Sequence, residues 1–339
     1  MRKILLFALL FTTFFACDEE SKEQVVNIYT HRHYDVDQQL FDQFEKNTGI
    51  KVNVSNASAD ELIQKMETEG EASPADVLIT VDAGRLTRAK DKDLLQSIDS
   101  KTLEDIIPAY LIDTDKQWFA LTKRARIIAY AKDRVQPNEL STYEALADDK
   151  WNDKVLIRSS SNIYNQSLMA SIIANLGEAA ARDWAKEVVD NMARDPKGND
   201  RDQVKAVVAG EGDLAIVNTY YVGRLLNSDD PEEVKAGEGV GIFFPNQDGR
   251  GAHINISGAG VAKYAPNKEN AIKFIEYLAS EEAQEVFAKA NYEYPVNPAV
   301  EPADLLKSWG DFKEDQLPLS KLGENNKLAS LVFDAAGWQ

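Results

Sequence analysis

Short apolar segments alternate with amphipathic helical segments along most of the chain. Runs rich in β-branched residues, such as 25–30 and 214–217, predict buried strands, and the apolar spacing in 168–176 predicts a helix. This alternation predicts a parallel α/β sheet. Because 339 residues exceed what a single core usually supports, we expect two lobes. Further strands are predicted at 50–54, 75–82, 154–158, 237–244, 254–262 and the apolar end of 118–130, and further helices between 35 and 49, at 59–69, 178–192, 271–278 and 283–290, and from 219.

The N-terminus has the composition of a secretory signal peptide. Two cationic residues precede an apolar run at 4–11, which is too short to span a membrane, and Ala16 precedes Cys17. The pattern predicts a signal peptide at 1–16, a lipid on Cys17 and a polar tether at 17–24. An uncleaved apolar anchor is the alternative, and it predicts the same location outside the cytoplasmic membrane.

The single cysteine and the strong negative charge exclude several classes of protein. One cysteine allows neither a disulfide within the chain nor a cysteine-rich metal site. The formal net charge of −18 becomes −20 after loss of 1–16, because that segment contains Arg2 and Lys3 and no acid. Nucleic acid and anionic lipid surfaces are therefore disfavoured partners, and a cation is a better one.

Tyrosines recur where predicted strands pass into helices. Tyr34 follows the first strand, Tyr164 follows the strand at 154–158, and the pair Tyr220 and Tyr221 follows 214–217. Asp35 and Thr219 are predicted to cap the helices at two of these junctions. Ligands bind in the crevice at the carboxyl ends of strands in open α/β sheets. An isolated pair of tyrosines is usually explained by packing, but recurrence at three junctions favours a binding site.

Four phenols in one cleft would form an oxygen-donor cage. A free phenol ionises near pH 10, so a strong Lewis acid must displace its proton at neutral pH. Ferric iron is hard and prefers oxygen, whereas zinc would recruit cysteine or more histidine. Four tyrosinates around Fe³⁺ leave one surplus negative charge. We predict that Arg126 and Arg224 compensate this charge from outside the ligand set.

Two histidines and one aspartate are additional candidate ligands. His33 lies beside Tyr34 and is the better histidine; His31 shares the same face of an extended segment. A hydrogen-bonded surface histidine is the alternative for each. Asp82 closes a predicted strand and offers carboxylate oxygens, although aspartate in that position more often caps a helix. These three residues rank below the tyrosines, with Asp82 and His31 lowest.

Several segments, in order, resemble the ferric-ion-binding solute-binding proteins of ABC-type iron uptake. The resemblance covers approximately 25–300 and is therefore more specific than any one motif. It implies a two-lobed periplasmic-binding-protein fold (Venus-flytrap, type II) with crossover hinge strands. The segments that carry it are His33-Tyr34-Asp35, 75–82, Arg124-Ala125-Arg126, 159–164, 218–225, 257–266 and 270–276.

The resemblance also implies how the lobes and the ligands are arranged. The N-lobe would comprise 25–122 and 251–300, and the C-lobe 123–250 and 301–339. Tyr34 would come from the first lobe and the other three tyrosines from the second. Arg126 would lie near the crossover and hold a synergistic anion such as carbonate.

The resemblance implies a binding protein and not an enzyme. A monomeric, extracytoplasmic lipoprotein would deliver Fe³⁺ to an ABC permease in the cytoplasmic membrane. Some family members use a His and an acidic residue in place of tyrosines, so a mixed ligand set that includes Asp82 stays open, as does the need for an anion. In the same fold, the alternative ligand is an organic cation such as a polyamine or a thiamine-like compound. An enzyme is the alternative from another class, but no Ser-His-Asp or HExxH pattern is present.

Overall fold

The computed structural model describes residues 23–32 and 34–339. The predicted signal peptide, the predicted lipidation site Cys17, most of the tether at 17–24 and the candidate ligand His33 lie outside the described residues. Within the described part of the chain, we find no helix with the length and apolar character needed to cross a membrane.

Nine strands and fourteen α-helices make up the described fold. The strands are β1 (Val25–Thr30), β2 (Lys51–Asn56), β3 (Val77–Val81), β4 (Phe119–Ala131), β5 (Val155–Leu156), β6 (Leu214–Asn218), β7 (Val240–Phe243), β8 (Ile254–Val261) and β9 (Tyr294–Pro295). The helices are α1 (Asp35–Thr48), α2 (Ala59–Glu69), α3 (Ala83–Asp91), α4 (Lys101–Ile106), α5 (Ile163–Leu176), α6 (Glu178–Asp190), α7 (Asp200–Val208), α8 (Thr219–Leu226), α9 (Pro231–Gly239), α10 (Lys268–Ala279), α11 (Glu281–Asn291), α12 (Asp304–Ser308), α13 (Ser320–Glu324) and α14 (Asn326–Ala336).

The strands form a mixed sheet in the order β2-β1-β3-β8-β4-β6-β5, with β7 and β9 also pairing with β4. The prediction of parallel strands is correct for β1 with β2 and β3, and for β5 with β6. It is wrong for β4, β7 and β8, which pair antiparallel. Apolar runs predict that a strand is buried, but the direction of its neighbours depends on connections elsewhere in the chain.

The long strand β4 joins the two parts of this sheet. Its first part, through Ala125, pairs with β8, and from Arg126 onward it pairs with β6 and β7. Arg124 and Arg126 therefore lie at the point where β4 changes partners. Alternate residues of a strand point to the same face, so these two guanidinium groups enter the same side of the molecule.

The helix that follows β1 begins one residue earlier than predicted. Tyr34, not Asp35, is the N-cap of α1, because its extended backbone (φ −85°, ψ 145°) precedes the first helical turn. Its backbone N–H donates to the Asp37 carboxylate (3.3 Å). Gly49 ends the helix with φ 71°, in the left-handed conformation that glycine adopts at low cost.

The helix that follows β6 is capped differently from the prediction. Asn218 is the N-cap of α8, and Thr219 is its first residue. The Thr219 hydroxyl instead accepts a hydrogen bond from the backbone N–H of Ala125 on β4 (3.3 Å). The predicted strand at 237–244 is also shorter than expected, because residues 237–239 end α9.

Candidate metal centre

The structure brings together the four tyrosines that the sequence pattern selected. Tyr34 caps α1, Tyr164 is the second residue of α5, and Tyr220 and Tyr221 lie in the first turn of α8. The Tyr164 and Tyr220 hydroxyl oxygens are 3.2 Å apart, and the ring centroids of Tyr220 and Tyr221 are 4.2 Å apart. We call these four residues the tyrosine cluster.

Burial raises the pKa of three phenols of the cluster, those of Tyr34, Tyr220 and Tyr221. Burial raises the pKa of Tyr220 well above its ordinary value, and the phenols of Tyr164, Tyr221 and Tyr34 raise it further. The pKa of Tyr221 is raised by burial and then by Tyr164. Burial also raises the pKa of Tyr34, with a further contribution from the Glu293 carboxylate. A ligand that uses these groups as phenolates must therefore displace tightly held protons.

The potential metal ligands that this site brings together are phenol oxygens. Across residues 23–32 and 34–339, no three His, Cys, Asp or Glu side chains gather closely enough to hold a metal ion. A site without sulfur or clustered imidazole suits a hard cation better than a borderline one. A cavity of about 370 Å³ borders Tyr34 and Arg224.

Five arginines surround the tyrosine cluster. The guanidinium carbons of Arg124, Arg126 and Arg158 lie 5.8, 5.9 and 5.6 Å from the Tyr164 ring centroid. Those of Arg32 and Arg224 lie 5.1 and 4.9 Å from the Tyr34 ring centroid. Such a setting favours an anionic cluster, because each guanidinium stays charged at any ordinary pH.

Arg126, the predicted holder of an anion, is already bonded to several side chains. Its Nη1 donates to Asp200 Oδ2 (2.7 Å) and Asn218 Oδ1 (3.2 Å), and its Nη2 donates to Asn165 Oδ1 (2.8 Å). Asp200 also accepts from Arg158 Nη1 (3.1 Å), so one carboxylate serves two guanidinium groups. The pair of arginines therefore carries one net positive charge beside Tyr164. Arg158 and Asp200 were not among the predicted site residues.

Arg124 has more unused hydrogen-bonding capacity than Arg126. Its side chain is 1% exposed, yet its Nε and Nη2 find no hydrogen-bond partner among the described residues. Its Nη1 donates to Ser257 Oγ at 3.5 Å. Its charge also opposes the rise in the pKa of Tyr220. A buried cation with unpaired donors fits a site that gains negative charge when it is loaded. The spacing Arg124-Ala125-Arg126 on a strand could have identified it.

The lower-ranked candidates have structural roles in the described part of the chain. The Asp82 carboxylate accepts from the backbone N–H of Gly84 (2.9 Å), and Asp82 caps α3, as its alternative interpretation predicted. It also accepts from Ser167 (2.7 Å) and Asn255 (2.8 Å). His31 Nδ1 lies 3.3 Å from the Thr80 hydroxyl oxygen. Metal ligation by Asp82 or His31 stays a prediction.

The third histidine, His253, is held neutral near the same arginines. Burial lowers the pKa of His253 to about 3, and the charges of Arg126, Arg124 and Arg250 contribute. A neutral imidazole adds no charge at this position, so it leaves the positive potential of the arginines unchanged. The sequence pattern offered no signal for this residue.

Comparison with known proteins gives a consistent result. The sequence matches the family described as bacterial extracellular solute-binding protein over residues 39–314. It is 51% identical to "Iron uptake protein A1" of Synechocystis sp. over 322 residues, which cover 95% of this chain and 89% of the relative.

Two solved structures are similar throughout. A Trichodesmium protein, described as "(IdiA) (FutA) in complex with iron and citrate ligands", superposes with a TM-score of 0.91 at 54% identity, covering 93% of this chain and 100% of that one. The ferric binding protein of Campylobacter jejuni superposes with a TM-score of 0.88 at 48% identity, covering 93% of this chain and 100% of that one.

Proposed function

The chain belongs to the family of bacterial extracellular solute-binding proteins, and we propose that it captures ferric iron and delivers it to an ABC permease. The observation that carries this proposal is the tyrosine cluster inside a ring of arginines. Relatives whose names specify iron uptake or ferric binding support the same ligand. Iron is the transported substrate, and the protein holds it without chemical change.

The proposed ligands are the four tyrosines and His33. Each phenol that binds Fe³⁺ loses its proton, so the four phenolates and the ion carry a net charge of −1. Arg124, Arg126 and Arg224 are proposed to balance this charge without touching the metal. Arg124 is the strongest of these candidates, because it is buried and shares no carboxylate with another arginine among the described residues.

A small oxyanion such as carbonate would complete the coordination sphere. Four phenolates and one imidazole leave little space in the coordination sphere of iron, so we propose a single small anion at most. The unpaired Nε and Nη2 of Arg124 support its binding better than Arg126 does, because only the Nε of Arg126 is without a partner among the described residues. The solved Trichodesmium relative contains citrate together with iron, which supports oxyanion contact at this type of site.

Lobe closure is the proposed signal of loading. We propose lobes of 25–122 with 251–300 and of 123–250 with 301–339, as the sequence predicted. The change of partners along β4 at Arg124–Arg126 supports a crossover there. Closing would bring Tyr34 toward Tyr164, Tyr220 and Tyr221, and opening or protonation would release the ion.

Ferric citrate tests this function directly. After mixing with the iron-free protein and removal of excess iron by gel filtration, we expect a single iron to stay bound to each chain. Tyrosinate-to-iron charge transfer should then colour the protein. A colourless, iron-free product would contradict the proposal. Tyr264→Phe is a matched control at an exposed tyrosine and should leave the colour unchanged.

An organic cation fits this site less well than ferric iron. An ammonium ion cannot remove phenol protons, so the cluster would stay neutral. The surrounding arginines, which Asp37, Asp200 and Glu293 balance only in part, would then repel the ligand. We therefore expect 1,4-diaminobutane to leave the melting temperature of the iron-free protein unchanged. The family consists of transport proteins, and we further propose that this chain is a monomer without catalytic activity.

We propose attachment to the outer face of the cytoplasmic membrane through a lipid on Cys17. The family is extracellular, which supports a location outside the cytoplasm. In a bacterial host, the wild-type chain should incorporate labelled fatty acid and sediment with membranes, and Cys17→Ser should do neither. Unchanged membrane association of Cys17→Ser would instead indicate an uncleaved apolar anchor.

A further inference from the structure

The segment that carries Tyr34 is fixed by the buried side chain of Arg32. This residue is 4% exposed, and its Nη2 contacts Asp37 Oδ1 at 2.9 Å. Its Nη1 donates to Ser257 Oγ (2.7 Å) and to Glu293 Oε2 (3.2 Å). The guanidinium also lies beside the Tyr34 ring. Arg32 thus connects the β1–α1 junction to two residues that are distant in sequence.

Ser257 connects the hydrogen bonds of Arg32 to the central strands β3, β4 and β8. It lies on β8, opposite Val81 of β3 and Thr122 of β4, and is fully buried. Its hydroxyl oxygen accepts from Arg32 Nη1 and lies 3.5 Å from Arg124 Nη1. Its hydrogen is directed to Glu293 Oε1 (3.4 Å). One small hydroxyl therefore contacts three charged groups.

The two arginines that contact Ser257 lie beside different tyrosines of the cluster. Arg32 lies 5.1 Å from the Tyr34 ring, and Arg124 lies 5.8 Å from the Tyr164 ring. These tyrosines come from helices that are far apart in the chain, α1 and α5. Ser257 therefore contacts one arginine on each of the two sides of the cluster.

We propose that Ser257 is a positioning residue, which fixes Tyr34 relative to Tyr164 by holding Arg32 and Arg124 together. The inference rests on the proposed ferric-iron function and adds a residue to it. Without the hydroxyl, Arg32 keeps its contacts with Asp37 and Glu293, so the fold is retained. The guanidinium groups of Arg32 and Arg124 then lose the oxygen that they share as an acceptor. Tyr34 is consequently held less firmly relative to Tyr164.

Ser257→Ala tests the proposal through iron release. We expect iron to dissociate about 10- to 100-fold faster into excess chelator, because groups that orient metal ligands commonly contribute this factor to metal affinity. Loss of the charge-transfer band measures the rate of dissociation. The melting temperature of the iron-free protein should stay close to that of the wild type. Ser73→Ala is a matched control, since Ser73 is also buried and donates to a glutamate, Glu69 (2.8 Å). This control should release iron at the wild-type rate.

A double-mutant cycle with Tyr34→Phe separates positioning from general loosening. If Ser257 acts through Tyr34, the effect of Ser257→Ala should fall below about twofold when Tyr34 is already Phe. An undiminished effect in the Tyr34→Phe background, or no effect on release in the wild-type background, overturns the positioning role. Failure of the wild-type protein to retain ferric iron would instead overturn the proposed function itself.

Discussion

Tyr220→Phe is expected to weaken ferric-iron binding by more than about 100-fold, since even groups outside the ligand set contribute about 10- to 100-fold. The substitution removes one oxygen donor and one negative charge from the loaded cluster. It costs the iron-free protein little, because the hydroxyl that is removed makes a neutral hydrogen bond with Tyr164 (3.2 Å). A neutral hydrogen bond of this kind contributes about 1 kcal/mol to the free energy of unfolding.

Competition with a chelator for iron and thermal unfolding of the iron-free protein measure the two effects separately. Tyr221→Phe should behave like Tyr220→Phe, whereas His33→Ala should have a smaller effect on affinity. Equal losses of affinity and stability in Tyr220→Phe would indicate that this tyrosine serves packing. Complete loss of binding in His33→Ala would reverse our ranking of the ligands.

Loading with ferric iron is expected to release close to four protons per ion at neutral pH, one from each tyrosine of the cluster. The raised pKa values of Tyr34, Tyr220 and Tyr221 keep these phenols protonated in the iron-free protein. Iron binding and proton binding therefore compete, and affinity falls as pH falls. With four protons released, the dependence approaches about 10⁴-fold per pH unit.

A pH-stat titration measures this release after subtraction of the protons exchanged by the chelator that supplies the iron. Tyr220→Phe is the matched comparison and should release one proton fewer. Release of two protons or fewer by the wild type would contradict the four-phenolate site. It would favour the mixed ligand set, in which a carboxylate or an imidazole replaces some tyrosines.

Local sequence patterns predicted the strands, the helices and the tyrosine cluster well. The strand at 25–30 and the helix at 59–69 have the predicted bounds, and the solved relatives confirm the predicted two-lobed binding-protein fold. Periodicity and capping residues act within a few positions, so they determine where an element lies. The junction argument located the cluster because each tyrosine lies at the N-cap or in the first turn of the helix that follows its strand.

The surroundings of the cluster could not be predicted in the same way. Arg32 and Glu293 are 261 positions apart, and Arg126 and Asp200 are 74 apart, so no local spacing reveals either pair. The direction of β4 also depends on distant partners. Arg124 is an exception, because its spacing from Arg126 on one strand is a local signal in the sequence. Only the structure shows that Arg124 has unpaired hydrogen-bond donors beside the cluster.

The ion pair between Arg32 and Glu293 has a consequence for the order in which the protein matures. If the chain crosses a membrane with its N-terminus first, Tyr34 reaches the far side early and Glu293 reaches it only near the end of translocation. Until that glutamate emerges, the anchor of the Tyr34 segment is incomplete. We therefore expect the proposed ferric-iron site to be completed only when translocation of the chain is almost finished.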